Sequence, residues 1–250
     1  MIVLKTSREL SAMRAAGRIS SRALRLAGEA VEPGVSTWEI DRMVRRYIEE
    51  QGAVPTFLGY GGFPASSCIS VNNVVIHGIP GKKIILKQGD IVSIDIGATF
   101  EGFVGDNAWT FPCGDVSEEA QSLMNATREA LFEGIAAAKA GNRIGDIGSA
   151  VQRYVEARGY SVVRSFVGHG VGAKMHEDPA VPNYGTPGRG VRLLPGMTIA
   201  IEPMINEGVK EVQTLKDGWT TVTADGKLSA HFEHTVAVTP DGPVILTLPD

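Results

Sequence analysis

Apolar residues recur at helical spacing twice within the first fifty positions, and the same arrangement returns 107 residues later. Leu10, Met13, Gly17 and Leu24 share one face of a helix expected over 7–30. Ile40, Val44, Tyr47 and Ile48 do the same over 37–51, where Ser36 or Thr37 can cap the start and Gly52 ends the run. Residues 118–140 and 144–158 predict a second such pair. The likeness extends to residue identity. Ile40, Val44, Arg46, Tyr47, Ile48, Glu49 and Gly52 are matched by Ile147, Val151, Arg153, Tyr154, Val155, Glu156 and Gly159, and Gly-Asp-Ile-Val-Ser-Ile-Asp at 89–95 by Gly-Met-Thr-Ile-Ala-Ile-Glu at 196–202. Two separate segments agreeing on one offset predict a duplicated half-domain, since a period of 107 residues is too long for a solenoid unit. The plainer alternative is two unrelated helices and two unrelated strands.

Strands are expected at 91–97 and 198–202. Residues 104–111 return after a turn at Glu101 and Gly102, a hairpin that brings Asp95 close to Asp106. Over 231–238 the alternation puts Phe232, His234, Val236 and Val238 on one face and Glu233, Thr235 and Ala237 on the other. Glu233 therefore shares a face with His231 and not with His234. The expected fold class is α+β, built as two pseudo-twofold-related halves. No linker interrupts the chain, so residues 1–250 read as one domain, and the Pro/Gly-rich stretch 183–190 reads as a functional loop.

Composition narrows the setting. Hydrophobic residues make up 43% and charged residues 21%, an ordinary globular balance, and a net charge of −4 with scattered basic residues gives no footprint for nucleic acid. Cys68 and Cys113 are too few for a disulfide framework, which favours a reducing compartment. The apolar start at residues 1–4 is too short for a signal peptide, and no stretch approaches the ~20 apolar residues that span a bilayer. A cytoplasmic protein is expected.

The chemistry lies in five donors: Asp95, Asp106, His169, Glu202 and Glu233. A carboxylate inside so apolar a strand as 91–96 must be paired, metal-bound or protonated. An ion pair or backbone hydrogen bonds would account for Asp95 alone; Glu202 repeats the situation in the other half and weakens that account. Four converging carboxylates cannot all stay ionised without cations. Oxygen donors with one imidazole suit two hard or borderline divalent ions, with Co, Mn, Fe and Zn all eligible. His169, in Gly-His-Gly, is weak support by itself. His77, His176, His231 and His234 are, taken singly, more often ordinary polar residues; His231 is a candidate outer partner for Glu233.

Val-Ile-His-Gly-Ile-Pro at 75–80, Ser-Ile-Asp-Ile-Gly at 93–97, Gly-Asp at 105–106, Gly-His-Gly-Val-Gly at 168–172, Met-His-Glu-Asp-Pro at 175–179, Ile-Glu-Pro-Met at 201–204 and Phe-Glu-His-Thr at 232–235 together resemble the methionine aminopeptidases. The match covers nearly the whole chain, in order. The short spacing between Glu202 and Glu233 is similar to the compact, bacterial-style type I enzymes, catalytic domain only. The resemblance implies the pita-bread fold, a curved antiparallel sheet covered by helices. It implies that Asp95, Asp106, His169, Glu202 and Glu233 bind two divalent ions, Asp106 and Glu233 touching both. Glu202 would also serve as general base and then acid, and His77 and His176 would contact the scissile amide. It points to Tyr60, Phe63, Cys68 and Trp219 as walls of the methionine slot; without it, core packing is the plain account of these residues. Phe57 stands where a cysteine is often seen in the family, Met175 where an aromatic is common, and His231 where glutamine is expected. The implied substrates are the N-termini of nascent polypeptides, handled by a monomer. For ribosome contact Lys82, Lys83 and Lys87 are thin support, and a solvated loop accounts for them.

Three rivals remain on the sequence. A proline-specific peptidase of the same fold would carry a further N-terminal domain. A non-catalytic binding module would be expected to lose metal donors. A dinuclear phosphoesterase would set several Arg or Lys beside the donors, where only Lys174 stands.

Overall fold

Both helix pairs form, and short polar caps set three of the four starts. In the computed structural model, which describes residues 1–249, α1 (Ser7–Glu29) and α2 (Thr37–Glu50) open with reciprocal Thr6–Glu9 and Ser36–Glu39 capping boxes. The first half continues with β1 (Val54–Pro55), a 3-10 turn (Tyr60–Gly62), β2 (Cys68–Val71), β3 (Val74–Ile76) and the long hairpin of β4 (Ile91–Phe100) and β5 (Phe103–Pro112). Glu101 and Gly102 both adopt positive φ, the backbone that a two-residue hairpin turn requires.

The second half repeats the order. It runs through α3 (Glu118–Ala137, capped by Ser117), α4 (Ile144–Glu156), β6 (Ser161–Val162), β7 (Gly168–Gly170), β8 (Glu177–Val181), β9 (Thr198–Ile201) and β10 (Met204–Asn206). It closes with β11 (Val212–Thr214), β12 (Thr221–Thr223), β13 (Ser229–His231), β14 (Glu233–Thr239) and β15 (Gly242–Ile245).

The main sheet has the order β1-β4-β5-β14-β9-β7-β8, with β2 also on β4 and β15 on β14, and its pairings are antiparallel. The halves meet between β5 and β14. On one side Ile40, Val44 and Ile48 of α2 are buried with Val92, Ile94 and Ile96 of β4. On the other, Ile147, Val151 and Val155 of α4 are buried with Ile199 and Ile201 of β9. The 107-residue offset is therefore an architectural repeat, and the apolar faces of both strands point at helices while their alternate residues point at a shared centre.

Two expectations need correction. The strand expected over 231–238 breaks at Phe232, because β13 turns away to pair with β10 while β14 inserts between β5 and β9. The 183–190 stretch wraps the start of α4 instead of serving the cleft: Gly188 N–H donates to Asp146 Oδ1 at 2.7 Å and Gly145 N–H to Arg189 O at 2.9 Å. Asn183 alone reaches toward the donors, its Nδ2 giving a hydrogen bond to Glu202 O at 2.9 Å. Among the described residues no helix is long and apolar enough to cross a membrane.

Candidate metal centre and its cleft

Sheet register assembles the donors. Asp95 pairs with Ala108, and Ala108 in turn with Glu233, so Asp95 and Glu233 flank one position of β5. Asp106 lies two residues from Ala108 on the same face of β5. Ile201 pairs with His234, which sets Glu202 at the end of β9 beside Glu233. His169 arrives on β7, whose Gly170 pairs with Ile199. Ligand atoms of Asp106, His169 and Glu233 all lie within 4.8 Å of one another. His169 Nε2 is 3.5 Å from Asp106 Oδ2 and 3.5 Å from Glu202 Oε1. The glycines around His169 serve strand contact: a Cβ at Gly168 would lie 2.3 Å from Ala200 O, and one at Gly170 2.2 Å from Asp178 O.

The donor set fits divalent cations. Asp95 Oδ1, Asp106 Oδ1 and Glu233 Oε1 are buried and lack hydrogen-bond partners, an arrangement that is costly unless something else satisfies them. Burial, then repulsion from Asp106, raises Asp95 well above the usual carboxylate range, and burial raises Asp106 to about 7. Glu202 and Glu233 are raised in the same way, by burial first and by the neighbouring aspartates and glutamate next. A cation inverts this balance by supplying the missing positive charge. Burial lowers His169 to about 4, keeping it neutral, and its Nδ1 lies 2.8 Å from Gly170 O. That contact places the ring proton on Nδ1 and leaves the Nε2 lone pair facing the carboxylates.

These shifts give a stability prediction. Asp106 titrates at about 7 in the ion-free fold against an ordinary 3.8, so over that window the folded state holds a proton that the unfolded chain releases. Chelated protein should therefore lose this contribution as pH rises through the window. Cations displace the protons that burial holds on these carboxyl groups, so the rise in Tm on adding Mn should grow as pH rises from about 5 through 7 and beyond. Thermal scans with and without chelator would measure it; an increment independent of pH would contradict the site.

The donors form the floor of a cleft whose lining includes Phe57, Tyr60, Phe63, Cys68, His77, Met175, His176 and Trp219. Every sequence-predicted site residue is thus in one place. His176 Nδ1 lies 2.8 Å from Tyr60 Oη, and its ring centroid is 4.2 Å from that of His169. His77 follows β3 in a left-handed conformation (φ 58°), its ring edge-on to Phe166 and Trp219. Burial holds His77 down to about 4 and also lowers His176, so both are neutral near pH 7. Cys68 is raised by burial and by the aspartates around it and stays a thiol.

Ile76, Phe166 and Val167 also line the cleft and were not expected from the sequence; the available signals were that Ile76 directly precedes His77 and that Phe166 and Val167 directly precede Gly-His-Gly. Nor was Asp41, whose buried Oδ1 accepts from Ser66 N, Ser67 N and Ser67 Oγ, each at 2.9 Å, and so pins the loop entering β2. His231 needs a correction. Its Nε2 is 3.8 Å from Glu202 Oε2 and is not paired with Glu233, because β13 follows β10, which begins two residues after Glu202.

Comparison with known proteins places this geometry. The model of metallopeptidase family M24 matches residues 11–240. A methionine aminopeptidase of Clostridium perfringens is 57% identical over 99% of both chains, and methionine aminopeptidase 1 of Bacillus subtilis is 52% identical over 99% of both. Among solved structures, methionine aminopeptidase from Thermotoga maritima superposes with a TM-score of 0.97 at 46% identity, over 99% of both chains. The prolidase from Pyrococcus horikoshii is 23% identical with a TM-score of 0.80; this chain spans 65% of its length, and the likeness is one of fold.

Proposed function

Because this chain belongs to metallopeptidase family M24 and, within it, to the methionine aminopeptidases, we propose that its cleft removes the first methionine from nascent proteins and peptides, preferring a small second residue. The chain is a pita-bread metallo-aminopeptidase that works with divalent metal. The observation that carries the reading is an apolar cleft lined by two buried carboxyl groups (Asp106, Glu233), two half-buried ones (Asp95, Glu202) and the His169 imidazole, with three buried carboxyl oxygens lacking hydrogen-bond partners.

In this reading Asp95, Asp106, His169, Glu202 and Glu233 would hold two divalent ions, which a set of oxygen donors with one imidazole suits. Such a pair, when bound, makes a hydroxide-like nucleophile available at neutral pH and polarises the first peptide carbonyl. Glu202 takes the proton of the attacking water and passes it to the leaving amine. With Tyr60 donating to Nδ1, the neutral His176 ring carries its proton on Nε2 and offers it to the carbonyl oxygen as charge builds there. His77 holds the scissile amide. Tyr60, Phe63, Cys68 and Trp219, with Phe57 and Met175, give a thioether an apolar slot. The replacements at Phe57 and Met175 keep that wall apolar.

The same reading takes residues 1–250 as one catalytic unit, working as a cytoplasmic monomer. Lys82, Lys83 and Lys87 are all exposed, which agrees with a solvated loop, and the Lys82 Nζ lies 4.5 Å from the Trp38 ring centroid. The test is release of methionine from Met-Ala-Ser beside a proline-specific substrate and a phosphoester, each with and without chelator. Only the first should turn over, and only with metal. Faster cleavage of either alternative, or turnover that survives chelation, would overturn the assignment.

A further inference from the structure

An ion pair outside the cleft bears on its chemistry. Lys5, in the segment before α1, has a side chain only 4% exposed, and its Nζ lies 2.5 Å from Glu177 Oε2, itself 12% exposed. Lys5 Nζ also donates to Val3 O at 3.2 Å, while Lys5 N–H donates to Gly196 O at 2.7 Å, tying the segment to the turn before β9. Glu177 directly follows His176. Its second oxygen, Oε1, accepts from Lys174 N–H at 3.2 Å, and Gly172 N–H donates to Lys174 O at 3.1 Å. A Cβ at Gly172 would lie 2.5 Å from Lys5 Cε and 2.6 Å from Glu177 Oε1, so the turn closes tightly around the ammonium.

A buried pair of this kind gains little net stability, because both charges lose their hydration. What it fixes is geometry: the carboxylate has one orientation that satisfies both the ammonium and the Lys174 amide. His176 is held from the other side by Tyr60 Oη at 2.8 Å. We propose that Lys5 and Glu177 are positioning residues that set His176 at the distance its transition-state hydrogen bond requires. This rests on the role for His176 given above. Reactions of this type lose up to ~10²-fold for a displacement of about 1 Å, so a slack turn shows in turnover before it shows in binding.

The experiment compares Lys5→Met, Glu177→Gln, the double variant of the two, His176→Ala and Lys5→Met/His176→Ala, reading kcat and KM on Met-Ala-Ser, Mn affinity by calorimetry, and Tm. Lys5→Met should lower kcat by about tenfold or more with KM and Mn affinity unchanged. In the His176→Ala background it should cost nothing further. Lys5→Met strands a buried carboxylate and lowers Tm; the double variant removes both charges, so it should regain Tm without regaining kcat, and this separates positioning from mere stability. The inference is overturned if kcat recovers with Tm, if Lys5→Met leaves kcat unchanged, or if its loss multiplies with that of His176→Ala. An unimpaired His176→Ala would remove both this inference and the role given to His176. Loss in His176→Ala without coupling to Lys5 removes the inference alone.

Discussion

Asp106→Asn should abolish methionine release and metal retention together. Loss of a single preorganised electrostatic group costs ~10²–10³-fold, and Asp106 is assigned to both ions, so the fall in kcat/KM should exceed ~10³-fold. The fold should survive. The carbonyl of Asp106 accepts from Thr235 Oγ1 at 2.8 Å, its N–H donates back at 3.3 Å, and both contacts belong to the backbone. Removing a buried acid that burial has raised to about 7 should, if anything, steady the chelated protein near neutral pH. Elemental analysis of the purified variant, with kcat/KM on Met-Ala-Ser, tests both halves. A variant that keeps two ions per chain, or that loses activity by unfolding, would sink the assignment.

The second large effect is the opposite in kind. His176→Ala should retain both ions while kcat falls ~10²–10³-fold, the usual cost of removing one donor to developing negative charge. Its ring contacts Tyr60 and His169 at the cleft wall, and burial keeps it neutral, so it acts as a hydrogen-bond donor and not as a fixed charge. KM should move little, because the hydrogen bond strengthens as the carbonyl oxygen gains charge. Calorimetric Mn titration beside steady-state kinetics checks this. Lost metal would reassign His176 to the donor set.

Much of this arrangement was legible in the chain because it is written in short-range patterns. Helical spacing, capping residues and the Glu101-Gly102 turn are local signals, and they gave both helix pairs and the central hairpin to within a few residues. The repeat carried the relation between halves, and apolar strands interrupted by Asp95 and Glu202 marked the centre. What escaped depends on contacts that no local pattern encodes. The break at Phe232 follows from competition between β10 and the main sheet for one segment. The Lys5–Glu177 pair joins positions 172 apart in sequence. His231 reads as a neighbour of Glu233 by strand alternation, yet the break carries it to Glu202. The 183–190 stretch shows how glycine and proline signal irregular backbone without saying what that backbone is for.

Anomalous diffraction at the Mn edge from Mn-soaked crystals addresses the central claim most directly. Two peaks should stand among Asp95, Asp106, His169, Glu202 and Glu233, with Asp106 and Glu233 each in contact with both. A single ion held elsewhere, or no peak among these five side chains, would contradict the account.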